Sequence, residues 1–315
     1  MDALVANKKF GFGALIARST LATDEGKTVR VTGKLTGKVY TKTLGSSLEA
    51  VFDMLEPREK YRVEVVVDPG EETESIESSE DIFFGYGECK EMTVGADIHT
   101  FRGIQQILNL HLETQFLEVG MEIPITLKYG NIPMIYRIAA INHESGHQVI
   151  FEPKWCLPTG RQQHTSNTNA GGWNQSDLRA WLNNEFLNDY LPDDVVALVK
   201  ERDVICSQGS QSSNLQTAVD KIWLPREWEI FGAPTYAATT EHTGGNAEQF
   251  PIYATAANRI KTLGKDGAAG NWWESSPFVS TSADFCHVTA AGAANYNYAS
   301  GAYGVAPCFH LLSAS

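Results

Sequence analysis

The chain has no apolar run near the roughly 18 residues that would cross a bilayer, so membrane insertion is not expected. Its start, Met1-Asp2-Ala3-Leu4-Val5-Ala6-Asn7-Lys8-Lys9, lacks the basic-then-apolar order of a signal peptide. Cysteines number five (89, 156, 206, 286 and 308), an odd count with no CxxC. That pattern argues against a disulfide scaffold and against a zinc ribbon. Positive charge is scarce: Lys+Arg is 25 against Asp+Glu 38, a net charge of −13, with pI near 5.1. Such a chain repels phosphate backbones, so nucleic acid is not an expected partner. There is no Gly-x-Ser-x-Gly elbow, no Walker A loop and no GxGxxG after a strand. What is present is 315 residues, 43% of them apolar. At about 150 residues per domain this suggests two domains with packed cores.

The N-terminal segment has strand periodicity. Lys27–Gly33, Val39–Thr43 and Tyr61–Val67 alternate and are separated by Gly, Asp and Pro, which predicts a small β-sandwich module over residues 1–70. No His or Cys precedes Cys89, so this module is expected to act as a spacer or attachment unit. Residues 71–84 carry Glu71, Glu72, Glu74, Glu77, Glu80 and Asp81 with no base among them. Self-repelling carboxylates between Ser and Thr predict an exposed acidic linker. A second domain is expected over 85–315. Within it, Ile104, Ile107, Leu108 and Leu112 predict a helix from Thr100, a capping residue, to Glu113. Strands are predicted at Ile123–Leu127, Ile135–Ile141 and Val149–Phe151. Ser176 caps a further predicted helix to Leu187, and Pro192 opens a short one through Val199.

His143-Glu144-Ser145-Gly146-His147 matches the H-E-x-x-H zinc signature, which works only on a helix that places both histidines on one face. Its flanks here are strand-like and Gly146 favours a turn, so a polar hairpin tip is expected and a metalloprotease is the less favoured reading. Cys286-His287 and Cys308 with His310 place thiols near imidazoles in sequence. Neighbours on a strand face opposite ways, so buried thiols are the plainer reading. No catalytic residue, no metal and no cofactor are expected.

The C-terminal stretch has an unusual composition. From Asp266 onward there is no Lys or Arg, and after Gly267 the only charges are Glu274 and Asp284. Ala, Ser, Gly, Asn, Tyr and Thr fill it instead. Tyr with Ser, Gly and Asn is paratope chemistry: large rigid contacts beside adaptable hydrogen bonds. Composition leaves a binding surface and a plain small-residue loop both open, with Phe285, Val288, Val305, Phe309 and Leu311 as regularly placed core anchors.

Several blocks resemble one family. They are Gly120-Met121-Glu122-Ile123-Pro124-Ile125, the run Thr165-Ser166-Asn167-Thr168-Asn169-Ala170-Gly171-Gly172-Trp173-Asn174, Ser176-Asp177-Leu178-Arg179-Ala180-Trp181-Leu182-Asn183, Asp220-Lys221-Ile222-Trp223-Leu224-Pro225, Asn258-Arg259-Ile260-Lys261, Trp272-Trp273, Phe285-Cys286-x-Val288 and Gly304-Val305-Ala306-Pro307-x-Phe309. From about residue 95 onward the chain resembles the variable proteins of diversity-generating retroelements with a C-type lectin-like fold, in the version common in gut Firmicutes and their phages. The N-terminal module resembles immunoglobulin-like sandwiches in general.

The resemblance implies an α+β fold: a C-type lectin-like domain of short strands with two or three helices, after a small all-β module. It implies that an error-prone reverse transcriptase rewrites AAY codons into codons for Asn, Tyr, Ser, His, Asp, Thr, Ala, Gly or Phe, but never Lys, Glu or Trp. The variable region would run over about 272–310. The family's variable slots fall on Phe278, Ser280, Thr281, Asp284, His287, Thr289, Ala291, Ala293, Asn295, Tyr296, Asn297, Tyr298, Gly301, Tyr303, Cys308 and His310. All of these except Cys308 are taken as candidate ligand contacts. Phe285, Val288, Ala299, Val305 and Phe309 would be fixed core. The family's Leu-Arg-Ser-Pro is replaced by Glu274-Ser275-Ser276-Pro277, and Glu is not an AAY product. Calcium-binding lectin motifs are replaced by Glu152-Pro153-Lys154 and Trp173-Asn174-Gln175. The implied function is non-catalytic recognition of a macromolecule, such as a cell-surface protein or glycan, by a phage particle or a bacterial surface, as in receptor binding or adhesion. The alternative is an enzyme on the related formylglycine-generating scaffold, whose copper-binding cysteine pair would have to be Cys286 and Cys308.

Overall fold

The computed structural model describes residues 13–19, 24–57, 59–66, 76–77, 82–83, 89–94, 99–109, 111, 113–144, 146–242 and 248–313. It is a mixed α+β structure, mostly strands with a few short helices. The chain divides into two compact units, residues 1–107 and 108–315.

In the first unit, strands β1 (Gly13–Ser19), β4 (Glu49–Leu55) and β8 (Cys89–Val94) form one sheet in the order β4-β1-β8. Strands β2 (Thr28–Gly33), β3 (Val39–Thr43), β5 (Lys60–Val66) and β6 (Ile76–Glu77) form another in the order β3-β2-β5-β6, and β7 (Ile82–Phe83) also pairs with β5. The period-2 pattern explains the packing. On β2 the alternate residues Val29 and Val31 are fully buried, and they join Leu15, Ala17, Phe52, Tyr61, Val63 and Val65 in one core. Two features differ from the sequence expectation. Ile76–Glu77 and Ile82–Phe83, inside the expected acidic linker 71–84, hydrogen-bond to β5; residues 71–75, 78–81 and 84 lie outside the described residues. The expected second domain began at residue 85, yet β8 runs parallel to β1 in the first unit's sheet. Strand β1 has an edge to be paired, and β8 pairs with it.

The second unit contains a four-stranded antiparallel sheet. Its strands are β9 (Glu122–Leu127), β10 (Ile132–Ile141), β11 (Gln148–Pro153) and β17 (Phe309–Leu312), in the order β17-β11-β10-β9. Every residue of β11 is buried, while the edge strand β9 alternates. A hairpin of β12 (Arg202–Gly209) and β13 (Ser212–Asp220) follows in sequence. The third sheet has the order β14-β15-β16, with β14 (Trp272–Pro277), β15 (Asp284–Val288) and β16 (Ala294–Tyr298).

The predicted caps are in place. Thr100 accepts the amide of Gly103 at 3.0 Å ahead of the helix Phe101–Asn109. Ser176 accepts the amide of Arg179 ahead of the helix Asp177–Trp181. That helix widens into a π-helical stretch, Leu182–Tyr190, closed by the Leu191 amide on the Phe186 carbonyl. Asn183 pins the stretch by accepting the amides of Lys221 and Ile222. The third expected helix, from Pro192 through Val199, is the short turn Asp193–Val196. Among the described residues, no helix is long and apolar enough to cross a membrane.

Candidate functional site

The β14-β15-β16 sheet and its flanking loops carry the expected contact residues from Phe278 to Tyr303, while His310 lies on β17. Strand β15 is buried along its whole length and supplies Phe285, Cys286 and Val288 to the core. Strand β16 is the edge, and its side chains emerge on two faces. Cys286 lies opposite Tyr296 and Asp284 opposite Tyr298, whereas Phe285 lies opposite Asn297 and His287 opposite Asn295. Directly opposed residues share a face. One face therefore carries Tyr296 and Tyr298, 39% and 56% exposed. Tyr296 stacks on Phe278 with ring centres 4.0 Å apart and meets Tyr236 edge-on at 5.0 Å. The other face carries Asn297, which donates to the Tyr303 hydroxyl. Tyr303 packs on Trp273 at 4.7 Å and on His287 at 4.8 Å.

A fixed segment holds these loops, and it grips main-chain atoms. The Asn169 side-chain amide donates to the carbonyls of Phe278, Thr281 and Asp284. Gln211 donates to the Ser280 carbonyl and Gln162 to that of Ser300. The His164 amide donates to Ala299, and Arg161 and Tyr303 exchange two main-chain bonds. Trp273 Nε1 donates to the Arg161 carbonyl at 2.7 Å. The glycines of the Asn169–Trp173 run explain how the backbones come so close. Gly172 has φ +53° beside the Ser207 carbonyl, where a Cβ would overlap that oxygen. A Cβ on Gly209 (φ +69°) would likewise overlap the Asn169 carbonyl. A cleft of 390 Å³ lies beside this segment, lined by Arg161, Thr165, Asp177, Trp181 and Ala302 among others. The Arg161 guanidinium lies 3.5 Å over the Trp181 ring, a stacked cation platform with no spacing signal in the sequence.

A family model matches the second unit. The domain of unknown function DUF6273 covers residues 144–313, more than half of the chain. The chain belongs to the DUF6273 family. No curated protein matches it. The DUF6273 segment begins within the β10–β11 hairpin and runs through β17, so it contains the gripping segment, the hairpin β12–β13 and the whole β14-β15-β16 sheet.

Within this DUF6273 segment the expected contact residues separate by burial. Ser280, Ala291, Ala293, Asn295, Tyr296 and Tyr298 are exposed; Phe278, Thr281, Thr289, Asn297, Gly301 and Tyr303 are half-buried. Asp284, His287 and His310 are buried, which corrects their placement on a contact surface. Asp284 accepts the Thr281 hydroxyl at 2.7 Å. His287 is wedged beside Trp273 and Tyr303, its two ring nitrogens have no hydrogen-bond partner, and burial lowers its pKa to about 4. His310 sits on β17, bonded to Gln148 at 2.7 Å and to the Glu201 carbonyl at 3.0 Å. Burial, reinforced by Arg202, lowers its pKa to about 4. Cys308, a slot by resemblance, is fully buried as well. The supports Phe285, Val288, Ala299, Val305 and Phe309 are all in the core.

The other motifs of the sequence have structural roles. Residues 142–147 join β10 to β11. Glu144 forms an ion pair with Arg202, which also binds Glu229. His147 bonds to Glu113 at 2.9 Å and stacks on His111, while His143 meets the Glu248 carbonyl. Glu152, at the position of a calcium-lectin motif, spends its oxygens on Arg137, Lys261 and Tyr253. The thiols of the enzymatic alternative have different surroundings: Cys286 feels Glu274 and Glu227, and Cys308 feels Glu152 and Lys261. Burial pushes both thiols well above the usual range, away from the thiolate that a nucleophile needs.

Proposed function

We propose that this protein is a non-catalytic ligand-binding protein whose C-terminal surface is diversified, a variable protein of the diversity-generating retroelement class. Its second unit would be C-type lectin-like and its first an immunoglobulin-like β-sandwich that carries it. One observation carries the reading: side chains and amides from 161–169 and from Gln211 hold the 278–303 segment through its main-chain atoms. A carbonyl is present whatever the side chain, so this grip survives rewriting of the residues it holds. The exposed Tyr296 and Tyr298 are suited to anchor a macromolecular ligand, because tyrosine offers large contact area with few torsions to freeze. The partner class is a cell-surface protein or glycan, met from a phage particle or a bacterial surface.

The test is the DNA beside the coding sequence. The expected finding is a reverse transcriptase gene and a near-repeat of the codons for the 278–303 segment that differs mainly at adenines. A neighbourhood with no such repeat, or a repeat whose differences ignore adenine, refutes the proposal.

A further inference from the structure

Glu227, Glu274 and Cys286 converge in the core of the second unit. Each offers a ligand atom, and these atoms lie within 4.8 Å of one another. All three residues are 0% exposed. Glu227 is aimed by the helix Glu227–Phe231 and by two amides, those of Tyr236 at 2.9 Å and Ala237 at 2.6 Å. Glu274 comes from β14 and Cys286 from β15. Neither carboxylate oxygen of Glu274 has a hydrogen-bond partner. The charged groups that act on Glu274 are Glu227 and Glu241, both acidic. A buried carboxyl with two orphaned oxygens carries a full desolvation cost. A proton removes its charge but still leaves the oxygens without partners.

We infer that Glu227, Glu274 and Cys286 form a closed site for a divalent transition-metal ion of the zinc class. Two carboxylates and a sulfur suit such an ion; calcium and magnesium demand more oxygens and do not favour sulfur. At the tetrahedral angle, zinc bonds of about 2.3 Å to sulfur and about 2.0–2.2 Å to oxygen hold the ligand atoms roughly 3.5 Å apart. The three side chains, whose ligand atoms lie within 4.8 Å of one another, would draw in by about 1 Å on binding. Binding expels the Cys286 thiol proton and the Glu274 carboxyl proton to solvent, so loading weakens as pH falls. All three ligands are fully buried and come from three elements, which would make the ion a brace between them rather than a reagent open to solvent. It would tie β14 and β15 to the helix at Glu227, and Cys286 lies opposite Tyr296 on the edge strand.

The experiment uses the full chain, unfolded with chelator under reducing conditions and refolded with Zn²⁺ or Co²⁺. Metal is counted by mass spectrometry and the cobalt form is read by absorption. About one ion per chain is expected, with a thiolate-to-cobalt charge-transfer band that disappears in Cys286→Ser. Glu274→Gln, close in shape and neutral, is expected to fold and to lose the ion. A refolded chain without bound metal overturns the inference, as does bound cobalt without a thiolate band. Metal that survives Glu274→Gln but leaves with His143→Ala or His147→Ala belongs to the hairpin and also overturns it. If Glu274→Gln does not fold, the cobalt band and metal count of the unmodified chain decide.

Discussion

Three truncations on one small sheet test whether it has a surface layer over a fixed support. Phe285 is 1% exposed on the central strand β15. Its replacement by Ala leaves a cavity in a close-packed region and is expected to cost about 3–5 kcal/mol. Tyr298 is 56% exposed on the edge strand, and Tyr298→Ala is expected to stay within about 0.5 kcal/mol. Tyr296 is intermediate: it is 39% exposed, but its ring packs on Phe278 and Tyr236. At about 0.5–1.5 kcal/mol for each of its two aromatic pairs, Tyr296→Ala is expected to cost about 1–3 kcal/mol. The assay is urea unfolding followed by tryptophan fluorescence. All seven tryptophans lie at position 155 or beyond, so the signal reports the second unit alone. The expected order of midpoints is unmodified, Tyr298→Ala, Tyr296→Ala, then Phe285→Ala, at constant slope. If Tyr298→Ala falls as far as Phe285→Ala, the tyrosine is core and the surface assignment fails. If Phe285→Ala is harmless, the sheet does not support the unit.

Other perturbations have signs fixed by the same structure. Arg202 is buried between Glu144 and Glu229, and Arg202→Met takes the cation from Glu144 and leaves Glu229 with Arg226 alone; a loss of about 3–5 kcal/mol in urea unfolding is expected. Burial raises the Glu229 pKa, but Arg202 and Arg226 outweigh it and bring it to about 2, so its contribution is full above pH 4.5 and is lost as pH falls toward 2. His287 is held neutral, with a folded pKa of about 4 against 6.5, so it costs stability progressively as pH falls from 6.5 toward 4. His287→Phe should therefore narrow the Tm difference between pH 7 and pH 5, and an unchanged difference would show that the ring titrates freely in the fold. Gly209→Ala should drive apart the Asn169 and β12–β13 turns and cost at least about 1–3 kcal/mol, read as a fall in Tm.

What was legible in the sequence was local. The caps at Thr100 and Ser176, the alternation of Val29 and Val31, and the turn between Ile141 and Gln148 all act within a few residues, and the structure places each where the pattern does. The β12–β13 hairpin was not legible, because its turn residues Ser210 and Gln211 hold φ of +51° and +61° without the Asn-Gly or Gly that normally marks such a turn. The pairing of β8 with β1 is a contact between distant segments, and no local rule announces it. Charged residues mislead for a related reason. Arg137, Glu152 and Lys261 look like surface residues one at a time, yet they meet as a buried cluster across more than 100 positions. Glu274 looked like a misfit at the edge of the expected variable region, and the structure places it fully buried on β14.

The same structure sets the extent of any diversified surface. A position can be rewritten freely only if its side chain performs no structural task. Tyr298 and Asn295 come closest to that condition: both are exposed on a strand paired with β15 through its main chain, and the Asn295 side chain accepts the neighbouring Tyr296 amide. His310 does not meet it. Its ring bonds to Gln148 and to the Glu201 carbonyl, and it stands edge-on to buried Trp223 at 5.2 Å. Cys308 is fully buried and exchanges main-chain bonds with Trp223, beside the start of β17. Replacing either with Tyr or Asp would overpack the core or bury an unpaired charge. Under the proposed function, a diversified stretch is therefore expected to end before the buried run that begins at Gly304, short of the residue-310 limit suggested by resemblance. Saturation mutagenesis of 278–310, scored by folded yield, should show broad tolerance at Asn295 and Tyr298 and a steep fall at Cys308 and His310. Equal tolerance at His310 and Asn295 would mean that β17 is not part of the folded sheet, and the boundary drawn here would be wrong.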